Sequence, residues 1–273
     1  MMIRSSLSRL LGAITHALPI CLAMQALGTL PADAGPESAQ LAPTGHLRVG
    51  VYPGSPTSMV VDPATKESHG LAHDLGQEFA RRLSVPLDYV TFARVADIVD
   101  AIKKGDVDFT VTNATPARAN DVAFSAPVLS IELGYLVPAN SPIARAEDID
   151  RPGVRIGVTK GSTSERTLPA RFKNATIVPA ESVKLAIGMF DRGQIDVYAT
   201  NKPTLFEMSD SMPGARVLDG NWGLEHMAIA IPKGRDEARP LVETFVRDAQ
   251  SSGLLHQIEK QAGLRGAVNA KTE

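Results

Sequence analysis

Thiol chemistry has almost no place in this chain. Of its 273 residues only Cys21 is a cysteine, and it lies in the N-terminal stretch. Without a second cysteine there is no disulfide framework and no C-x-x-C redox or zinc pair, so the core alone must hold the fold. No basic block is present either, and the formal net charge is only −2, which argues against nucleic acid as a partner. G-x-S-x-G and H-E-x-x-H motifs are absent, as is any glycine-rich nucleotide fingerprint, so no nucleophile–base pair or cofactor loop has motif support. No solenoid-type short repeat occurs. What remains is an ordinary globular profile, 44% hydrophobic and 21% charged, enough for one large domain or two lobes with their own cores.

Residues 1–34 read as an export segment. Arg4 and Arg9 make a positive start, Leu10 to Leu30 is an almost charge-free apolar run, and Ala32-Asp33-Ala34 matches a small-residue cleavage site. The expectation is a signal peptide cleaved after Ala34 and a periplasmic protein. The run is also long enough for an uncleaved anchor, but His16, Pro19 and Gln25 interrupt it. Ile20 before Cys21 makes a poor lipoprotein box. Residues 35–45, rich in Pro, Ala and Gly, read as a flexible leader.

The stretch with most local design is GDVDFTVTNATPAR, residues 105–118. Val107, Phe109 and Val111 alternate with polar residues as in a strand. Thr115 then offers a helix cap and Pro116 suits a first helical position. Arg118 falls in that first turn, and its planar fork fits a carboxylate. The same design recurs: GQIDVYATN at 193–201 parallels GDVDFTVTN at 105–113, and RIGVTKGS at 155–162 parallels RVGVYPGS at 48–55. Two similar α/β lobes are the economical reading, with loops from the carboxyl ends of strands meeting at a cleft.

Between the repeats, Leu71, Leu75, Phe79 and Leu83 mark one amphipathic helix. Val95, Ile98, Val99 and Ile102 mark another, stopped at Gly105. Ser162 and Glu165 have capping-box spacing. Leu133–Val137 and Gly223–Met227 read as strands that carry the chain between lobes. The expected lobes are 46–132 with 226–266, and 138–221. The residues after Gly263 read as a loose tail, with 267–273 outside either lobe.

HLRVGV (46–51), GLAHDL (70–75), Thr115 with Arg118, FSAP (124–127), PGVRIGVTKGST (152–163), GQID (193–196) and IPKG (231–234) occur in an order and spacing that resemble the type II periplasmic solute-binding proteins of family 3. These are receptors that deliver polar amino acids to ABC importers. The resemblance implies two lobes closing on a small-molecule ligand, an amino acid or organic anion. It further implies a monomeric partner of an ABC transporter permease, with no cofactor, no metal and no catalysis. It places Arg118 on the ligand's α-carboxylate, assisted by Ser162 and Thr163, with Asn113 where a Ser or Thr is usual. Gly54, with Ser55 after it, falls near the place of an aromatic lid, and Val95 near a second. Asn201 stands where such receptors carry the Asp that pairs with the α-ammonium, and Lys202 beside it would favour a second anion. The resulting expectation is a small carboxylate or an amino-acid derivative rather than a strict α-amino-acid zwitterion. The alternative is that Glu132 or Glu225 replaces the missing acid. Asp74, Asp108 and Asp196 read as structural.

His69 and His73 have helical spacing beside Asp74, but no third metal ligand is evident. Trp222 could line the cleft or pack at the hinge, and Arg94 could sit at the mouth. A local likeness to periplasmic cyclohexadienyl dehydratase, in 149–154 and 161–165, keeps an enzyme as an alternative. That enzyme's essential glutamate aligns with Thr204, which cannot do a carboxyl group's work. A membrane-tethered sensing domain is the third class.

Overall fold

The computed structural model describes residues 36–268. The expected signal segment and its cleavage site lie outside those residues. The described chain opens with α1 (Pro36–Leu41), and Leu41 is fully buried in one core with Leu47 and Phe245. Arg235 Nη1 donates to the Leu41 carbonyl at 3.2 Å. This corrects the expectation of a flexible leader over 35–45: its one large apolar side chain before Pro43 is taken up by the core, and the backbone follows.

In chain order the first lobe contains β1 (Leu47–Val51), a hairpin of β2 (Val60–Val61) and β3 (Ser68–His69), and α2 (Leu71–Leu83). Then come β4 (Leu87–Thr91), α3 (Val95–Lys104), β5 (Thr110–Asn113) and the single turn α4 (Pro116–Ala119). Strand β6 (Val122–Val137) leaves it. The second lobe has β7 (Arg155–Thr159), α5 (Thr163–Thr167), β8 (Thr176–Ala180), α6 (Val183–Asp191), β9 (Val197–Asn201), α7 (Lys202–Ser211) and β10 (Arg216–Val217). Strand β11 (Gly223–Pro232) returns, and α8 (Arg239–Ser251), α9 (Leu254–Gln261) and β12 (Ala267–Val268) follow.

The two long strands are antiparallel partners from Gly223↔Leu133 to Pro232↔Val122 and join the lobes. From Leu133 on, β6 pairs with β9 of the second lobe, while the other edge of β11, at Met227–Ala230, pairs with β5 of the first. The cores divide along the same seam. Phe79 packs against Phe109 and Phe245, with ring centroids 5.5 and 4.7 Å apart, in a cluster with the buried faces of α2 and α8. Ile156, Val158, Val197 and Trp222 belong to a separate cluster. Full burial of each such side chain stabilises by about 1.5–3 kcal/mol.

The two repeated sequence units make the same contact in both lobes. Arg48 reaches Asp108 through Nε at 2.7 Å and Nη2 at 2.8 Å, and Nη2 also donates to the Gly105 carbonyl. Arg155 reaches Asp196 through Nε at 3.0 Å and Nη2 at 2.8 Å, and Nη1 donates to the Gly193 carbonyl. Each fork thus ties the first strand of a lobe to the glycine that ends a helix. Gly105, at φ 78°, closes α3 with hydrogen bonds to Ala101 and Ile102 carbonyls, a left-handed position where a side chain would be strained.

The tail departs from its sequence reading. Ala267 and Val268 pair with Ile131 and Ser130 of β6, and Arg265 pairs with Asp210 while its guanidinium lies 4.6 Å over the Phe206 ring. A strand edge with unpaired backbone groups recruits two more residues, whatever their own propensity.

Candidate functional site

A cavity of about 40 Å³ lies between the lobes, walled by residues from the loop after β1, α3, β5, α4, β7 and the loop after it, α5, α6, β9, α7 and β11. Arg118 enters it from α4. Thr115 caps that turn by accepting from the Arg118 amide at 3.2 Å, and Pro116 starts it. The side chain then folds back, Nη1 donating to Thr112 Oγ1 at 2.7 Å and to the Asn113 carbonyl at 3.2 Å. Only 6% of Arg118 is exposed, and burial lowers its affinity for the proton while Glu225 opposes that.

Glu225 is the second charge in the cavity. It sits on β11 with 9% exposure and accepts from Asn201 Nδ2 at 3.3 Å. Burial pushes its carboxyl well above the usual range; Arg118 pulls it back, helped by Asn201, Thr163 and Asn113. A buried guanidinium and a buried carboxyl, which a nearby cation would ionise, therefore face the same small space.

Asn113 joins the lobes: Nδ2 donates to Thr163 Oγ1 at 3.2 Å, and Oδ1 accepts from the His226 amide at 2.9 Å. Ser162 caps α5 by accepting from the Glu165 amide at 3.1 Å, and Glu165 in turn accepts from Gly161. Asn201 caps α7, accepting from the Thr204 amide at 3.2 Å and its hydroxyl at 2.8 Å. A hydroxyl cluster closes the far side. Ser55 Oγ lies 2.8 Å from Thr57 Oγ1 and 2.7 Å from Thr204 Oγ1, a bond from one lobe to the other, and Tyr52 leans on the first pair.

Of the residues singled out from sequence, Arg118, Asn113, Ser162, Thr163 and Asn201 all line the cavity. Gly54, Ser55 and Lys202 do not. Ser55 stands behind Thr57 and Thr204, and a Cβ on Gly54 would meet Val183 of the opposite lobe at 3.6 Å. Lys202 is corrected most clearly: its Nζ is 2.5 Å from Glu132 Oε2, and Asn221 donates to the other oxygen at 2.9 Å. As the residue after a helix cap, it turns toward the crossing strands and is neutralised there. It offers no charge to a ligand.

Sequence reading passed over Tyr52, Thr57 and Thr159 as lining residues. Tyr52 follows directly on the repeated Arg-Val-Gly-Val strand, a carboxyl-end position that could have marked it. Trp222 packs in the second lobe and donates to the Gly134 carbonyl at 3.0 Å. His73 bonds Asp74 at 2.7 Å and stacks on Tyr89, whereas His69 faces Glu67. Arg94 and Lys160, from opposite lobes, both pair with Glu181 at the cleft mouth. A wider hollow of about 750 Å³ lies wholly within the second lobe, around Pro138, Phe190 and Met212, remote from this convergence of polar groups.

The sequence model of the bacterial extracellular solute-binding proteins, family 3, matches residues 47–264. A glutamine-binding protein of an ABC transporter from Bacillus subtilis (strain 168) is 22% identical over 204 residues, 73% of this chain and 74% of that protein. The membrane-bound lytic murein transglycosylase F of Ectopseudomonas mendocina (strain ymp) is 28% identical over 237 residues, covering 81% of this chain and 46% of that one. Among solved structures, an ancestral amino-acid-binding protein described as a precursor of cyclohexadienyl dehydratase superposes with a TM-score of 0.71 at 24% identity. That match covers 82% of this chain and 98% of the other. The fold is the two-lobed type II periplasmic-binding-protein architecture.

Proposed function

Because the chain belongs to the bacterial extracellular solute-binding proteins, family 3, we propose that it is a non-catalytic receptor that closes on an α-amino acid and presents it to an ABC importer. The observation that carries this reading is that Arg118 and Glu225, both buried, line one cavity. A zwitterion brings a carboxylate for the guanidinium fork and an ammonium for the carboxylate, so neither protein charge stays unpaired when water leaves. Asn113, Thr163 and the amides of the Ser162 loop complete the hydrogen bonds. A simple organic anion would satisfy Arg118 but crowd Glu225 with like charge. The preference for such anions drawn from Asn201, Lys202 and Gly54 is therefore replaced: Lys202 is spent on Glu132, and Glu225 brings from β11 the acid that Asn201 lacks.

The bilobal closure and the extracellular family support an exported receptor, with the segment before residue 35 as its signal and a permease as the acceptor. A second reading has one specific support. Glu225, an acid held in a closed, hydroxyl-lined cavity, is also the kind of group an elimination would use. Calorimetry of matched pairs separates these classes: each L-amino acid against its 2-keto and 2-hydroxy analogue, with recovery of the ligand afterwards. Tighter binding of the amino acids and their unchanged recovery is the expected result. Preference for the keto acids would overturn the zwitterion assignment, and conversion of arogenate or prephenate would establish an enzyme.

A further inference from the structure

We propose that the receptor's ligand is an α-amino acid with a small, uncharged side chain; this rests on the zwitterion reading above and narrows it. Charge supplies the first argument. Among the side chains lining the cavity, Arg118 and Glu225 are the charged ones, and the ligand's own head group engages both. The nearest other charges are committed elsewhere. Lys202 is held by Glu132, and Arg94 and Lys160 share Glu181, while Arg166 is exposed, outside the lining, and donates to the neutral Gly161 carbonyl. An arginine, lysine, aspartate or glutamate side chain would enter with no counter-charge, and an unpaired buried charge is strongly disfavoured.

Space supplies the second. The cavity of about 40 Å³ holds roughly three waters, at about 10–15 Å³ each. That is less than any free amino acid occupies, and each added side-chain atom widens the mismatch, so the smallest amino acids demand the least widening. It cannot grow while the lobes stay shut, because they meet at points without slack. A Cβ on Gly161 would stand 2.4 Å from the Cβ of Ala96 across the cleft, and Ser55 and Thr204 are already bonded at 2.7 Å. The walls away from Arg118 and Glu225 include Thr57, Thr204, Val95 and Val183. Val95 and Val183 would contact a methyl group, and the threonine hydroxyls would tolerate a ligand hydroxyl. Tyr52 is the aromatic side chain in the lining, and its hydroxyl leans on Ser55 and Thr57.

The test is calorimetry on protein freed of carried ligand by unfolding and refolding, titrated with glycine, L-alanine and L-serine, then with L-glutamine, L-arginine, L-glutamate and L-phenylalanine. The 2-keto analogues of alanine and glutamine form the control arm. The expected result is that at least one of the first three binds at least about tenfold more tightly than any of the last four. If glutamine, arginine, glutamate or phenylalanine binds as tightly, the size and charge inference is overturned while the zwitterion reading stands. If the keto acids bind and no amino acid does, or if nothing binds, the zwitterion reading falls and takes this inference with it.

Discussion

Arg118 and Glu225 reach the same cavity by different routes, and a local motif marks only the first; Glu225 is, with Glu132, one of two candidate acids in the sequence. Arg118 announces itself, since a Thr-Pro-x-Arg turn after a strand places a guanidinium at a strand's carboxyl end. Glu225 does not. In Gly-Leu-Glu-His-Met the usual expectation puts Leu224 inward, yet Leu224 is 47% exposed and Glu225 9%. Alternation at the start of the strand holds the clue: Glu225 and Met227 are buried while Leu224 and His226 beside them are exposed, before the register shifts past Met227. An acid on that buried face is directed into the cleft. Arg118→Ala and Glu225→Gln should each weaken amino-acid binding by about 2–5 kcal/mol, because each leaves a buried charge without its partner, which is at least about thirtyfold in affinity. The pH dependence has a definite sign. Burial raises the Glu225 pKa in the unliganded protein, so its contribution to stability is complete below the unfolded carboxylate value and is lost as pH rises through the folded one. Glutamine at 225 should therefore stabilise the unliganded protein most on the alkaline side of that range. A bound ammonium favours the ionised form, so binding should release a proton on the acid side, and affinity should fall as pH falls. Titration in buffers of different ionisation enthalpy checks this; proton release that persists in Glu225→Gln would assign it to another group.

At the level of elements, the paired units of sequence become paired units of structure. Arg-x-Gly-Val and Gly-x-x-Asp are visible as a duplication in the amino-acid order alone, and in both lobes the arginine grips the aspartate and the carbonyl of the helix-ending glycine. The two are not equal, however. Asp108 is fully buried and shared by Arg48 and Arg235, whose Nη2 is 2.8 Å away, whereas the side chains of Arg155 and Asp196 are 39% and 35% exposed. Arg235 arrives from the far end of the chain, which no local pattern could indicate. Removing one partner of a buried ionic cluster destabilises by about 3–5 kcal/mol, while an exposed pair contributes about 0–1 kcal/mol. Asp108→Ala should therefore lower the urea midpoint far more than Asp196→Ala. Equal midpoints would mean that the two lobes unfold independently of this network. The same dependence on distant partners explains the ends of the fold. Leu41 packs because Phe245 and its neighbours are there, and residues 267–268 pair because the β6 edge is open beside them.

For the whole molecule, closure is the event to which the site contributes. Three sets of contacts span the lobes: the polar cavity through Asn113 and Thr163, the mouth through Arg94 and Glu181, and the hydroxyl bridge from Ser55 to Thr204. They differ in durability. The mouth pair joins a partly buried arginine to a glutamate side chain that is 54% exposed and open to screening by salt. The Ser55–Thr204 bridge is buried on both sides, with 0% and 2% exposure, so salt cannot reach it. Any contact made only in the closed state enters the measured affinity in full, because ligand binds a conformation whose population that contact raises. Ser55→Ala removes the bridge and leaves Tyr52 and Thr57, which are 3.3 Å apart, able to bond each other. Losing one neutral buried hydrogen bond amounts to about 1 kcal/mol, or about fivefold in affinity at any salt concentration. Small-angle X-ray scattering should still find the ligand-saturated variant compact, since the cavity charges remain, but at higher ligand concentration than the parent requires. An affinity unchanged by Ser55→Ala would mean that the bridge persists when the lobes part, and that Arg118 and Glu225 alone set the balance between open and closed.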